Sequence, residues 1–99
     1  MNITKKPNGS TLLFEIEGNV DSLSAPELDD AINSSIEGVT KLILDFTKVD
    51  YVSSAGLRVL LVAYRKMSEQ GEMIIRHPNT NVMDVFTMTG FDSIFTIEE

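Results

Sequence analysis

The sequence predicts an α/β domain with a mixed, mostly parallel β-sheet and helices packed on it, in the order β-β-α-β-α-β-α-β. Three observations point there. Short apolar runs, TLLFEIE, KLILDF and EMIIR, alternate with segments whose apolar residues recur at helical spacing. Strands separated by helices imply crossover connections and parallel pairing. Asn8-Gly9 signals a tight turn near the N-terminus, which adds an antiparallel hairpin. At 99 residues the chain suits one hydrophobic core, so residues 1–99 are expected to form a single domain.

Each element has a local cause. Thr11 to Glu17 sets Phe14 and Ile16 against Glu15 and Glu17, the period of a half-buried strand, with Ile3 to Lys5 as its hairpin partner. Ser24-Ala-Pro-Glu27 puts a capping serine three residues before an acid. Leu28, Ala31, Ile32 and Ser35 then share a face of a helix to about Ile36, with Gly38 as its stop. Lys41 to Phe46 reads as a buried central strand that polar Thr47, Lys48 and Asp50 interrupt.

From Ala55 to about Gln70, Leu57, Leu60, Leu61, Tyr64 and Met67 recur at helical spacing, and Gly71 ends the run. Val59, Val62 and Ala63 make the opposite side apolar too. This helix is therefore buried on more than one side or presents an apolar patch to a partner. Glu72 to Arg76 is the next strand, and His77-Pro78 breaks it. Val82, Val85, Phe86 and Thr89 form a third helical stripe, closed by Gly90 before a last strand near Phe95 to Ile97.

Composition narrows the function. Eight Lys and Arg against 15 Asp and Glu leave a net charge of −7, which works against binding to nucleic acid or an anionic membrane. The start MNITKKPNGS lacks the apolar core of a signal peptide, and no run approaches membrane-spanning length. With no cysteine, the expectation is a monomeric cytoplasmic protein without disulfide, thiolate metal site or cofactor. Catalysis is not expected. His77 is the one histidine, it precedes a proline, and no GxSxG surrounds a serine, so a hydrolase has no base for its nucleophile. The strand segments argue against a helical carrier protein, and Gly56 alone makes no phosphate-binding loop for a nucleotide. The five methionines are read as core filling and the scattered glutamates as solvated charge.

Asp50-Tyr-Val-Ser-Ser-Ala-Gly-Leu-Arg58 joins the central strand to the longest helix. It concentrates two hydroxyls and two small residues at that helix's N-terminus, where free amides and the dipole favour an anion. One serine is explained as a helix cap and the Ala-Gly pair as close packing. The second serine is left over.

LILDFTKVDYVSSAGLRVLL closely resembles the strand, loop and helix signature of the STAS domain of bacterial anti-sigma-factor antagonists. The likeness extends to Gly18-Asn-Val-Asp21, Gly71 and Val85-Phe86 through Gly90-Phe91, and so over nearly the whole chain. It implies that Ser54 is the residue phosphorylated by an anti-sigma factor that is itself a serine kinase, with Ser53 as the second candidate. Many regulated members carry Asp just before the switch serine, where this chain has Ser53. The family's GxxD aspartate matches Asp21, and the acid of its central strand matches Asp45, both expected beside an interfacial phosphate. The implied partner-binding residues are Asp21, Asp45, Ser53, Ser54, Ala55, Gly56, Leu57 and Arg58. The unmodified chain would bind the kinase and release a sigma factor, phosphorylation would separate the pair, and a phosphatase could reset it. The alternative is a constitutive STAS subunit, as on the ATPase of an ABC-type lipid transporter.

Overall fold

The strands stand in the sheet in the order in which they occur in the chain. The computed structural model describes residues 1–99. β1 (Asn2–Asn8) and β2 (Thr11–Val20) form an antiparallel hairpin, and β3 (Lys41–Val52), β4 (Glu72–Arg76) and β5 (Thr96–Glu98) add in parallel. Helices α1 (Ala25–Asn33), α2 (Ser54–Ser68) and α3 (Thr80–Thr89) make the three parallel connections. Crossovers to the next strand on the same side share one hand, so all three helices fall on one face of the sheet. A 3₁₀ turn, Phe91–Ser93, precedes β5.

One core cluster joins Leu12, Phe14 and Ile16 of β2, Leu42, Leu44 and Phe46 of β3, and Met73 and Ile75 of β4 to the inner sides of the helices. The helices contribute Leu28 and Ile32, then Leu57, Leu60, Ala63 and Met67, then Val82 and Phe86. The alternative posed for the longest helix is resolved by residue. Val59 and Ala63 join the core side, while Leu61 and Val62 stay part exposed, Leu61 leaving the stripe assigned to the core.

No element covers the other face. Lys6, Leu13, Ile43, Ile74 and Thr96 lie in register across all five strands, and Thr4, Glu15, Asp45, Arg76 and Glu98 form the next row. Ile43 and Ile74 are nevertheless buried. Their cover is side-chain stems: the ion pairs Lys6–Glu15 at 2.9 Å, Arg76–Glu98 at 2.8 Å, Lys48–Glu17 at 3.8 Å and Lys41–Glu72 at 3.9 Å all lie on this face.

Several local expectations are corrected. The hairpin turn is Gly9-Ser10, since Asn8 still pairs with Thr11 and Gly9 takes the left-handed φ of +64°. β3 does not stop at Phe46. Register shifts between Glu15 and Glu17 and between Gly18 and Asn19 of β2 each give β3 an extra residue, and pairing continues through Lys48 and Val49 and then Tyr51 and Val52. Helix α1 ends at Asn33, and Gly38 belongs to the turn into β3. Gly71 is not a left-handed stop, because α2 closes on Glu69. A Cβ on Gly71 would lie 1.9 Å from the Thr40 carbonyl oxygen, which accepts the Glu72 amide at 2.9 Å.

Gly71→Ala is therefore expected to lower unfolding free energy by about 2 kcal/mol or more, the cost of forcing backbone apart in a packed region. Urea denaturation checks it, and a midpoint equal to that of the unmodified chain contradicts the packing role.

Candidate functional site

The β2–α1 and β3–α2 connections meet at one end of the sheet. The Ser53 amide donates to the Val20 carbonyl at 2.9 Å, which ties the start of α2 to the end of β2. Gly56 makes that approach possible. A Cβ there would lie 2.5 Å from the Val20 oxygen, 2.9 Å from Val20 Cγ1 and 3.0 Å from Val52 Cγ1.

The two serines separate at this junction. Ser53 is the N-cap, with extended backbone and a hydroxyl that accepts from the Gly56 amide at 3.4 Å. Ser54 is the first helical residue, exposed, and its hydroxyl makes no hydrogen bond within the chain. Ala55 is half-buried, Gly56 and Leu57 are buried, and Arg58 is exposed. Gly56 and Leu57 thus set the helix in place while Ser54 and Arg58 face solvent.

Asp21 adjoins this junction as the residue after Val20, and its carboxylate closes the turn that leads into α1. Its Oδ1 accepts the amides of Leu23 at 3.0 Å and Ser24 at 3.1 Å, and its carbonyl accepts the Ala25 amide at 2.7 Å. Ser24 makes no side-chain cap. Its hydroxyl instead donates to the Asn19 carbonyl at 2.6 Å and accepts the Asp21 amide at 3.0 Å. The amides of Ser24 and Leu23 hold the Asp21 carboxyl below its ordinary value of 3.8; desolvation opposes them, and the Ser24 hydroxyl and the N-terminal amine add to the lowering.

Asp45 lies elsewhere, which corrects its expected place beside a phosphate on Ser54. It is on the open face, paired with Glu15, five β2 residues before the Val20 that pairs with Val52, or roughly 17 Å of rise from the end of the strand. Its Oδ1 accepts the Thr47 amide at 2.9 Å and the Thr47 hydroxyl at 2.6 Å, tying down the stretch in which β3 carries its first extra residue. Desolvation pushes the Asp45 carboxyl up, but the Thr47 bonds and the charges of His77 and Arg76 together bring it below its ordinary value. Asp45 also lines a shallow open-face depression of about 560 Å³ with Thr4, Glu15, Glu17 and Lys48. His77 ends β4 with a left-handed φ of +57° and donates its amide to Glu98.

Two residues at the β2–β3 end escaped the sequence reading. Leu23 is 90% exposed at the tip of the Asp21–Ser24 turn, and Tyr51, paired with Asn19, is 49% exposed. A leucine in the otherwise polar run Asp-Ser-Leu-Ser was the available signal.

The STAS domain family matches the chain over residues 2–99. This chain belongs to the STAS domain family. BtrV of Bordetella bronchiseptica, an anti-sigma factor antagonist by name, is 32% identical over 99 residues, covering 98% of this chain and 85% of BtrV. A crystal structure of an anti-sigma factor antagonist from Mycobacterium paratuberculosis shares the fold with a TM-score of 0.88 and 20% identity over 98% of this chain and 84% of that one. SpoIIAA, solved unphosphorylated and phosphorylated, shares it at a TM-score of 0.76 in both forms. The identities are 17% and 19%, over 99% of this chain and 88% and 92% of those chains. The STAS chain described here thus has anti-sigma factor antagonists among its relatives and its fold neighbours. None of its helices is long and apolar enough to cross a membrane.

The lowered Asp21 carboxyl gives a signed pH dependence. Folding favours the charged form, so the stability it contributes is present above about pH 4 and is lost as pH falls through the folded value. Asp21→Asn is expected to be less stable than the unmodified chain at pH 7, with the gap closing toward pH 3. Urea titrations at both pH values check this, and a gap that is constant with pH contradicts the assignment.

Proposed function

We propose that this protein is an anti-sigma factor antagonist that works by partner switching in the cytoplasm, with Ser54 as its phosphorylation site. The unmodified chain binds an anti-sigma factor with serine kinase activity, and the sigma factor is set free. Phosphorylation of Ser54 ends that binding, and a phosphatase resets it. Asp21, Ser53, Ala55, Gly56, Leu57 and Arg58 form the contact around Ser54. Asp45 acts in this reading through the shape of β3 rather than in the contact.

The contrast between two adjacent hydroxyls carries the reading. Ser53 is committed to the helix cap, whereas Ser54 is exposed and unbonded on a helix that Gly56 holds against the sheet. An attacking hydroxyl must reach the partner's nucleotide without unfolding its own chain, and Ser54 meets that requirement. The relatives' names and the phosphorylated state of SpoIIAA, a protein of this fold, support it.

The chemistry belongs to the partner's ATP. Ser54 Oγ attacks the γ-phosphorus and gives its proton to a base of the kinase as the bond to ADP breaks. The product sets a phosphoserine of about −1.5 to −2 charges against the terminal phosphate of ADP inside the contact. Two facing anions in a desolvated interface repel, and the complex separates. The free chain is not strained, since a phosphate at the first turn of a helix is favoured by the amides and dipole there.

Ser54→Asp is expected to weaken partner binding by more than tenfold, about 1.4 kcal/mol, while Tm stays within a few degrees. Affinity purification from native lysate with both proteins side by side, followed by mass spectrometry, tests it. A histidine-kinase-like ATPase retained by the unmodified chain and lost with Ser54→Asp supports the switch. An ABC-type ATPase retained equally by both replaces it with the constitutive subunit. Ser54→Ala is expected to bind the same kinase and to resist release by ATP, and normal ATP-dependent release in a titration would contradict that.

A further inference from the structure

The chain's eight cations are not spread evenly in their engagements. Lys6, Lys41, Lys48 and Arg76 form the ion pairs of the open sheet face. Lys5 donates to Ser35 Oγ at 2.7 Å and lies over the Phe14 ring, and Lys66 donates to Asn33 Oδ1. Arg58 and Arg65 alone have neither an ion pair nor a side-chain hydrogen bond. Both are exposed, and both are on α2.

Helix geometry puts Arg58 on the same side of α2 as Ser54. Residues four apart lie one above the other, with Cβ atoms about 5–6 Å apart. Leu61, Val62 and Arg65 continue this outer side. Helix α2 contains no Asp or Glu, so no carboxylate on it competes for either arginine. An anion preceding a cation by four residues is the favourable order along a helix, and a guanidinium matches phosphate with two parallel hydrogen bonds.

We infer that Arg58 is the positioning residue through which phosphorylation of Ser54 is read: the new phosphate draws the Arg58 guanidinium into a pair within α2 and removes that cation from the docking face. The inference rests on Ser54 being the phosphorylated residue. In the unmodified chain Arg58 is free to meet a carboxylate of the partner. In the phosphorylated chain it is held one turn from the helix start by a group of its own chain. Release then has two causes, the added anion and the withdrawn cation.

The test needs no partner. Phosphoserine is placed at position 54 by genetic incorporation in the full chain, and the phosphate is titrated by ³¹P NMR in the otherwise unmodified chain and in Arg58→Gln, Arg58→Lys and Arg65→Gln. A free phosphoserine titrates near about pH 6. Pairing with Arg58 is expected to place the midpoint about half a pH unit below that of Arg58→Gln, with Arg58→Lys between them. Arg65→Gln removes the same charge from the same face about 16 Å along the helix from Ser54, and is expected to leave the midpoint where it was. Equal midpoints with and without Arg58, or an equal shift from Arg65→Gln, overturn the pair. Mass spectrometry of the protein from native cells examines the reading beneath it. Phosphate on Ser54 there together with equal NMR midpoints overturns the pair alone, whereas phosphate on another residue overturns the choice of Ser54.

Discussion

The approach of Gly56 to the Val20 carbonyl is the contact on which the rest of the site depends. It brings the first turn of α2 within 2.5 Å, measured from where a Cβ would stand, of the end of β2. Leu57 and Leu60 can then join the core cluster that holds Phe14 and Leu44. The same approach lets the Ser53 amide reach Val20, which fixes where the helix begins. Once that start is fixed, Ser53 must be the cap and Ser54 must point outward. Any side chain at position 56 pushes the helix away and changes all of these together.

The sheet makes a second contribution by extending farther than its apolar content suggests. Two extra residues in β3, the first beside the Asp45–Thr47 bonds and the second just before Tyr51, accompany a strand of 12 residues whose last pairs, Asn19 with Tyr51 and Val20 with Val52, reach the helix start. Bulges of this kind re-aim a strand near functional positions. Asp45, midway along β3, and Asp21, just past the end of β2, perform similar local tasks, each a carboxylate that accepts hydrogen bonds from residues two or three ahead. Of the two, Asp21 is the one at the β2–α2 junction, next in the chain to the Val20 that accepts the Ser53 amide.

Element order was legible because the periodicities of TLLFEIE, EMIIR and the three helical stripes are local and strong. Three details were not, and each has a physical reason. Thr47-Lys48 looked like a break because the first of two bulges in β3 puts the alternation out of phase there, although pairing continues. The capping box at Ser24 was outcompeted by a turn beginning at Asp21, which nothing in the four residues Ser24 to Glu27 reveals. Which of the two serines caps α2 depended on the tertiary bond to Val20, because the capping preferences of adjacent serines are identical, whereas Ser54 was singled out by the family resemblance. Asp45 was legible as an unusual residue, but its distance from the serines depended on the unseen length of β3.

A switch of this construction can be strong in the complex and nearly invisible in the free chain. An exposed phosphate–guanidinium pair on a helix contributes only a few tenths of a kcal/mol, since water screens both charges and their side chains lose freedom on pairing. The same guanidinium seated against a partner's carboxylate sits in a drier setting, where removing one member of a charged pair costs about 2–5 kcal/mol. Much of that cost is the partner's carboxylate left buried and unpaired. In the proposed switch the fold therefore gains little from a phosphate on Ser54, but the contact loses a great deal. That asymmetry follows from an exposed, unbonded serine hydroxyl and an unpaired arginine standing one turn apart on a helix whose inner side is locked by Gly56.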